Sequence, residues 1–285
     1  MLRRYREVLS HPHVARLLIT AMAARLPQGM TGLAVLLLLT PRQGYGKAGL
    51  ATGVGVAVAG VSNIVLSRAI DRYGARVVLL PASVLYLVGA VLLAVLANSG
   101  YGVQLILCAV IGFASAPISS VSRGLWPALL GEDQAQVLYG LEATAQELVF
   151  IVGPAGVALV AGLASAKVAI VLSGVLGLGG VIGFVSAPVF AMSARGERQP
   201  RTGLWGSGIA PYAAVGICLT VGFSMTEIAT VAFVGGQHAT TASGIVLAVW
   251  SAGSMAGGLL FGAGARQVTD RALAISVAVA GGGVA

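Results

Sequence analysis

Charge is scarce in this sequence: Asp, Glu, Lys and Arg make up 9% of its 285 residues, against roughly a quarter in soluble globular domains. So thin a polar coat excludes a fold whose main solvent is water. Cysteine is nearly absent. Cys108 and Cys218 both fall inside apolar stretches with no metal-type spacing, which excludes a disulfide scaffold or zinc module and leaves them as small packing residues. The three histidines, His11, His13 and His238, are scattered. No HExxH, Walker loop, Ser/His/Asp constellation or pair of catalytic carboxylates occurs, so neither an enzyme nor a metal or cofactor is expected. Ten-residue segments of alternating polarity are also missing, which excludes a membrane β-barrel.

What the sequence has is apolar length. Hydrophobic residues make up 57% of the chain and the mean hydropathy is +0.94. They come in blocks of about twenty, enough for a helix to cross a hydrocarbon layer of about 30 Å. Helices are predicted at 14–40, 46–67, 77–97, 101–122, 138–163, 166–191, 208–232 and 241–263, with a further block starting near 273. The expected fold class is an all-α polytopic membrane protein. The 41 glycines suit helices whose backbones approach closely in a membrane. Arg3, Arg4 and Arg6, followed by an apolar run with Ala21-Met22-Ala23, have the outline of a signal peptide. The run resumes past Arg25 and merges into a full span, so it is predicted to stay.

The net charge of +8 falls between apolar blocks rather than along one face, which points to topology and away from nucleic acid. With the N-terminus inside, thirteen basic residues lie in cytoplasmic segments, and only Arg42, Lys47 and Lys167 lie opposite. The polar stretch around Arg195, Arg198 and Arg201 is predicted to be a cytoplasmic linker, residues 192–206. Asp71-Arg72 at the start of the third span recurs as Asp270-Arg271 at the ninth, six spans later, as a parallel six-helix repeat would require.

Residues 67–76 resemble the loop 2–3 signature of the major facilitator superfamily, Gly-x-x-x-Asp-Arg/Lys-x-Gly-x-Arg/Lys-Arg/Lys. Asp71, Arg72, Gly74 and Arg76 match; Ser67 replaces the first Gly and Val77 the last basic residue. In this reading Asp71 faces the positive N-terminal end of the third helix. Gly153, Pro154 and Gly156 in the fifth span are similar to the Gly-Pro signature of the family's antiporters, with one glycine where that signature has a pair. The resemblance implies a bend there and close packing between bundles. A third signature places an Arg in the fourth span four residues before a Gly; before Gly112 that position holds Cys108. Residues 25–30 and 253–258 are similar to stretches of actinobacterial members labelled drug or sugar-derivative exporters.

The resemblance implies secondary transport of a small molecule through the cell membrane, working by alternating access as an efflux permease or antiporter, with a proton as a coupling ion. It places an N-terminal six-helix bundle at 1–191 and an incomplete C-terminal bundle at 207–285, eight to nine of twelve spans, in a chain that reads as truncated. A non-transporting remnant or a regulatory membrane protein is the alternative. Charges inside spans are costly and mark cavities or partners. Arg25 and Glu147 lie at matching depths, roughly 17 and 14 Å along their predicted helices, and are expected to form the polar centre of the first bundle, either meeting as a pair or standing apart. Glu142, nearer the cytoplasmic end, is expected to snorkel to the interface. Glu227 in the seventh span is a candidate from the second bundle.

Overall fold

A computed structural model of the chain describes residues 2–192 and Gly253. The predicted spans from 208 onward lie outside the described residues, as do the 192–206 linker, Cys218, Glu227, His238 and Asp270-Arg271. Eight helices follow in order: α1 (Leu2–Leu9), α2 (Val14–Tyr73), α3 (Ala75–Val95), α4 (Tyr101–Phe113), α5 (Ile118–Leu130), α6 (Glu132–Leu163), α7 (Ala166–Val185) and α8 (Val189–Met192). They belong to one compact unit containing Met1–Arg195. Among the described residues five helical stretches are long and apolar enough to cross a membrane.

The first two predicted spans are one continuous element. Helix α2 has 60 residues, roughly 90 Å at 1.5 Å per residue, far more than one crossing uses. Its only non-helical residue is Gly44, with φ 73° and ψ 166°, a backbone conformation that a side chain disfavours. The break falls between the two predicted spans and divides α2 into two arms. These arms form the centre of the unit, against which α3, α4, α5, α6 and α7 pack.

The predicted fourth span, 101–122, is broken. Pro117 precedes α5 at φ −78° and ψ 59°, and the chain leaves the helix between Phe113 and Ile118 because Pro disfavours helical geometry at the residue before it and has no N–H to give. In an unbroken helix the Phe113 carbonyl would receive the N–H of residue 117. Here the hydroxyl of Ser62, buried on the second arm of α2, donates to it instead. Non-helical backbone at membrane depth survives only where such partners or a cavity receive it.

Helix α6 starts earlier than predicted, at Glu132 rather than 138. Its first turn is polar and acidic, with Glu132 and Asp133; it suits a helix N-terminus but carries no apolar signal. Only Gly131, at φ 79°, separates α6 from α5. Helix α7 begins at the Ser165 side chain, which accepts from the Val168 N–H at 3.3 Å, and ends at Val185, short of the predicted 191.

Buried apolar residues form two clusters. Leu17, Ala21, Trp126, Leu138 and Phe184 fill the end nearest the α2–α3 turn, and Leu39, Ala48, Leu93, Ile111 and Ile170 fill the other. Outward-facing Ile106, Leu148, Leu159 and Ile182 stay exposed. Lipid is as apolar as they are, so nothing drives them inward.

Candidate functional site: a buried ion pair and a charge-free cavity

Three helices bring one polar cluster together beside the first apolar cluster, to which Trp126 belongs. Arg25 comes from the first arm of α2, Ser122 and Trp126 from α5, and Glu142 from α6. Arg25 and Glu142 are 1% and 0% exposed and form a direct ion pair, Nη2 to Oε1. The same Nη2 donates to Ser122 Oγ at 2.7 Å, and that hydroxyl donates to Glu142 Oε1 at 2.5 Å. Trp126 Nε1 donates to the other carboxylate oxygen at 3.3 Å. The Nε of Arg123, an exposed side chain, stands 3.8 Å from the same oxygen. Arg25 Nε is buried with no hydrogen-bond partner among the described residues. Desolvating two charges is tolerable when each meets the other and the remaining lone pairs are used, and Glu142 meets that condition on both oxygens.

This corrects two expectations. Arg25 takes Glu142, not Glu147, as its carboxylate, and Glu142 is enclosed rather than snorkelling. Both differences trace to the start of α6. Counted from Glu132, Glu142 lies ten residues along, roughly 15 Å, against roughly 17 Å for Arg25 counted from Val14. Depth matching was sound, but the origin was six residues late. Glu147 is half-buried five residues further along α6.

A cavity of about 690 Å³ opens against both arms of α2, α3, α4, α6 and the α4–α5 break, within the size range of about 300–1,000 Å³ typical of small-molecule sites. Gln28 and Thr31 line it from the first arm, Asn63 from the second, Tyr86 from α3, Cys108 from α4, Ser115 and Pro117 from the break, and Phe150 from α6. Among the described residues that line it none is Asp, Glu, Lys, Arg or His, and neither Arg25, Glu142 nor Glu147 reaches it. The Tyr86 hydroxyl is held between Thr31 Oγ1 and Ser173 Oγ of α7 at 3.1 Å, so its ring edge is fixed in the wall. Cys108, in the position where the family signature has Arg, is 3% exposed and contributes a thiol where that signature has a cation. Sequence reading missed Gln28, Asn63, Tyr86 and the 114–117 break. Polar amides inside otherwise apolar spans, and Pro117 within a predicted helix, were the available signals.

The Gly-Pro stretch works inside the unit. A Cβ on Gly153 would lie 2.7 Å from the Gly29 carbonyl carbon, and one on Gly29 would lie 2.3 Å from the Val149 carbonyl oxygen. The first arm of α2 and α6 therefore touch backbone to backbone at this crossing. Gly153 thus packs against Gly29 within the same compact unit, while a Cβ on Gly156 would meet nothing within 4 Å among the described residues. Pro154 lies within a continuous α6.

At the α2–α3 turn Gly74 adopts φ 90°, which accounts for the glycine of the signature. Arg76 Nε donates to the Val185 carbonyl at the end of α7, at 2.7 Å, and the Arg72 guanidinium lies 5.2 Å from the centre of the Tyr73 ring. Asp71 lies in the last turn of α2, since that helix runs to Tyr73, rather than at the first turn of α3. It lines a crevice of about 470 Å³ together with Gly74 and Arg76.

A helix broken beside a cavity, with its freed carbonyl supplied by a neighbour and its interior charges neutralised in a pair, is the build of a polytopic membrane protein that handles small molecules. The family model described as Major Facilitator Superfamily matches residues 17–285, and the chain belongs to that family, whose members are secondary transporters rather than enzymes. No curated protein and no solved structure matches.

Proposed function

We propose that the chain serves efflux of a small molecule through the plasma membrane by alternating access, with a proton as the coupling ion. The cavity carries this reading. It lies where the α4–α5 break meets both arms of α2, so substrate would be held by helices that can re-pack around a discontinuity. The basic-residue imbalance supports an N-terminus in the cytoplasm, with residues 1–191 as the first bundle, 192–206 as a cytoplasmic linker and 207–285 belonging to the second.

Within the first bundle, Arg25 and Glu142 pin α2, α5 and α6 together. Glu147 is assigned the proton, and Glu227 is the candidate from the second bundle. Asp71, Arg72, Gly74 and Arg76 shape the cytoplasmic turn, and Gly153, Pro154 and Gly156 the α6 crossing. Everted membrane vesicles from cells expressing the chain provide the test. An inward-acid gradient should drive accumulation of a fluorescent solute, and collapsing the gradient should release it. Accumulation indifferent to the gradient would remove the proton from the account, and no accumulation of any solute in a broad panel would remove efflux.

A further inference from the structure

Within the transporter reading, on which this rests, we infer that the cavity takes an uncharged ligand with a flat apolar face and several hydrogen-bonding groups, recognised by the amides of Gln28 and Asn63. Three observations carry it. First, the described wall offers no counter-charge: none of its described lining residues is ionised at neutral pH, and the buried charges Arg25 and Glu142 are directed at each other, Ser122 and Trp126. An ion entering such a wall would lose its water and gain no partner, a strongly unfavourable exchange.

Second, the wall does offer neutral hydrogen bonding at two exposed positions. Gln28 and Asn63 line the cavity from opposite arms of α2 and are solvent-exposed. Asn63 makes no side-chain bond among the described residues, and the only bond to the Gln28 side chain is a long one, 3.5 Å from Gln146 Nε2. Each amide presents two donors and an acceptor, a pairing suited to hydroxyl, ether or amide groups and indifferent to net charge. In predominantly apolar spans such as these, an unpaired amide is expensive unless something polar meets it.

Third, Phe150 and the fixed ring of Tyr86 bring aromatic surface to the same cavity, and rings of this kind bind apolar faces. The position that carries Arg in the family signature holds Cys108 here, and that difference fits a wall that reads shape and hydrogen bonds rather than charge.

The test uses the full chain in detergent or nanodiscs, with Cys108 and Cys218 replaced by Ala and one reporter, Ala59→Cys, on the cavity wall. Three probes share one ring system: 2-naphthyl β-D-glucoside, uncharged; 2-naphthylmethyl-trimethylammonium, a cation; and 2-naphthalenesulfonate, an anion. The glucoside should slow maleimide labelling of the reporter roughly tenfold at saturation, and the two ions should leave it unchanged. Asn63→Ala or Gln28→Ala should raise the glucoside concentration needed roughly tenfold, the scale of one well-made hydrogen bond. Asn63→Asp should let the ammonium protect. Circular dichroism on each variant confirms that the helices are retained, and Asn63→Gln, which keeps the amide, should retain part of the protection. Protection by either ion equal to that by the glucoside would overturn the uncharged class while leaving the cavity as a ligand site. Absence of protection by all three would overturn the cavity as a ligand site, and this inference with it.

Discussion

The Arg25 guanidinium and the Glu142 carboxylate, 117 residues apart in sequence, meet in a space where both are almost wholly excluded from solvent, 1% and 0% exposed. Removing one partner strands the other, so Glu142→Gln and Arg25→Met are each expected to cost about 3–5 kcal/mol. Both should appear as lost folded protein and a lowered melting temperature. Replacing the two together, Arg25→Met with Glu142→Leu, should recover most of that loss, since an apolar pair of similar volume removes the desolvation cost as well as the attraction. A double variant as unstable as either single one would show that the pair does more than hold helices.

Ser62 stands in for the N–H that Pro117 lacks. Ser62→Ala should therefore leave the Phe113 carbonyl unsatisfied and cost about 1–3 kcal/mol. In a Pro117→Ala background, residue 117 regains its own donor, and the same Ser62→Ala change should become nearly neutral. Thermal denaturation of the four proteins gives the coupling directly. Additive effects would mean that the hydroxyl and the proline act separately.

Gly153 and Gly156 differ by what surrounds them. A Cβ at Gly153 would sit 2.7 Å from the Gly29 backbone, whereas one at Gly156 would meet nothing within 4 Å among the described residues. Gly153→Ala should push α6 off the first arm of α2 and lower the melting temperature. Gly156→Ala should be neutral or slightly stabilising, by up to about 1 kcal/mol, through its helix propensity. Equal effects at the two sites would contradict the backbone contact.

Glu147→Gln separates proton coupling from structure. The variant should fold and insert like the parent, because the buried pair does not include Glu147, yet its flux should no longer respond to a pH gradient. An unchanged pH response would take the proton from this residue.

The membrane class, the apolar stretches up to residue 192 and the break near Gly44 were legible in the sequence, because hydropathy over about twenty residues reports solvent preference directly. Gly74 was legible for a local reason, since its signature demands a conformation only glycine adopts easily. The Arg25 partner was misread because the polar first turn of α6, from Glu132, carries no hydropathy signal, and the depth of every carboxylate on that helix depends on where it starts. The cavity was missed because it is assembled from residues on several helices that are far apart in sequence. Gln28 and Asn63 look alike in sequence whether they face lipid, neighbour or void; only packing tells which. Ser62 could not be found without knowing that Phe113 and Pro117 would leave a carbonyl beside it.

Alternating access around this cavity is the central claim, and two-sided accessibility tests it most directly. With Cys108 and Cys218 replaced by Ala, a single Asn63→Cys is labelled with a membrane-impermeant maleimide in right-side-out vesicles and in everted ones. The account predicts labelling from both faces, faster from one than the other, with the balance shifted by a bound solute. Leu148→Cys, on an exposed apolar position of α6, should react from neither face. Labelling of position 63 from one face alone, whatever the gradient or solute, would contradict it.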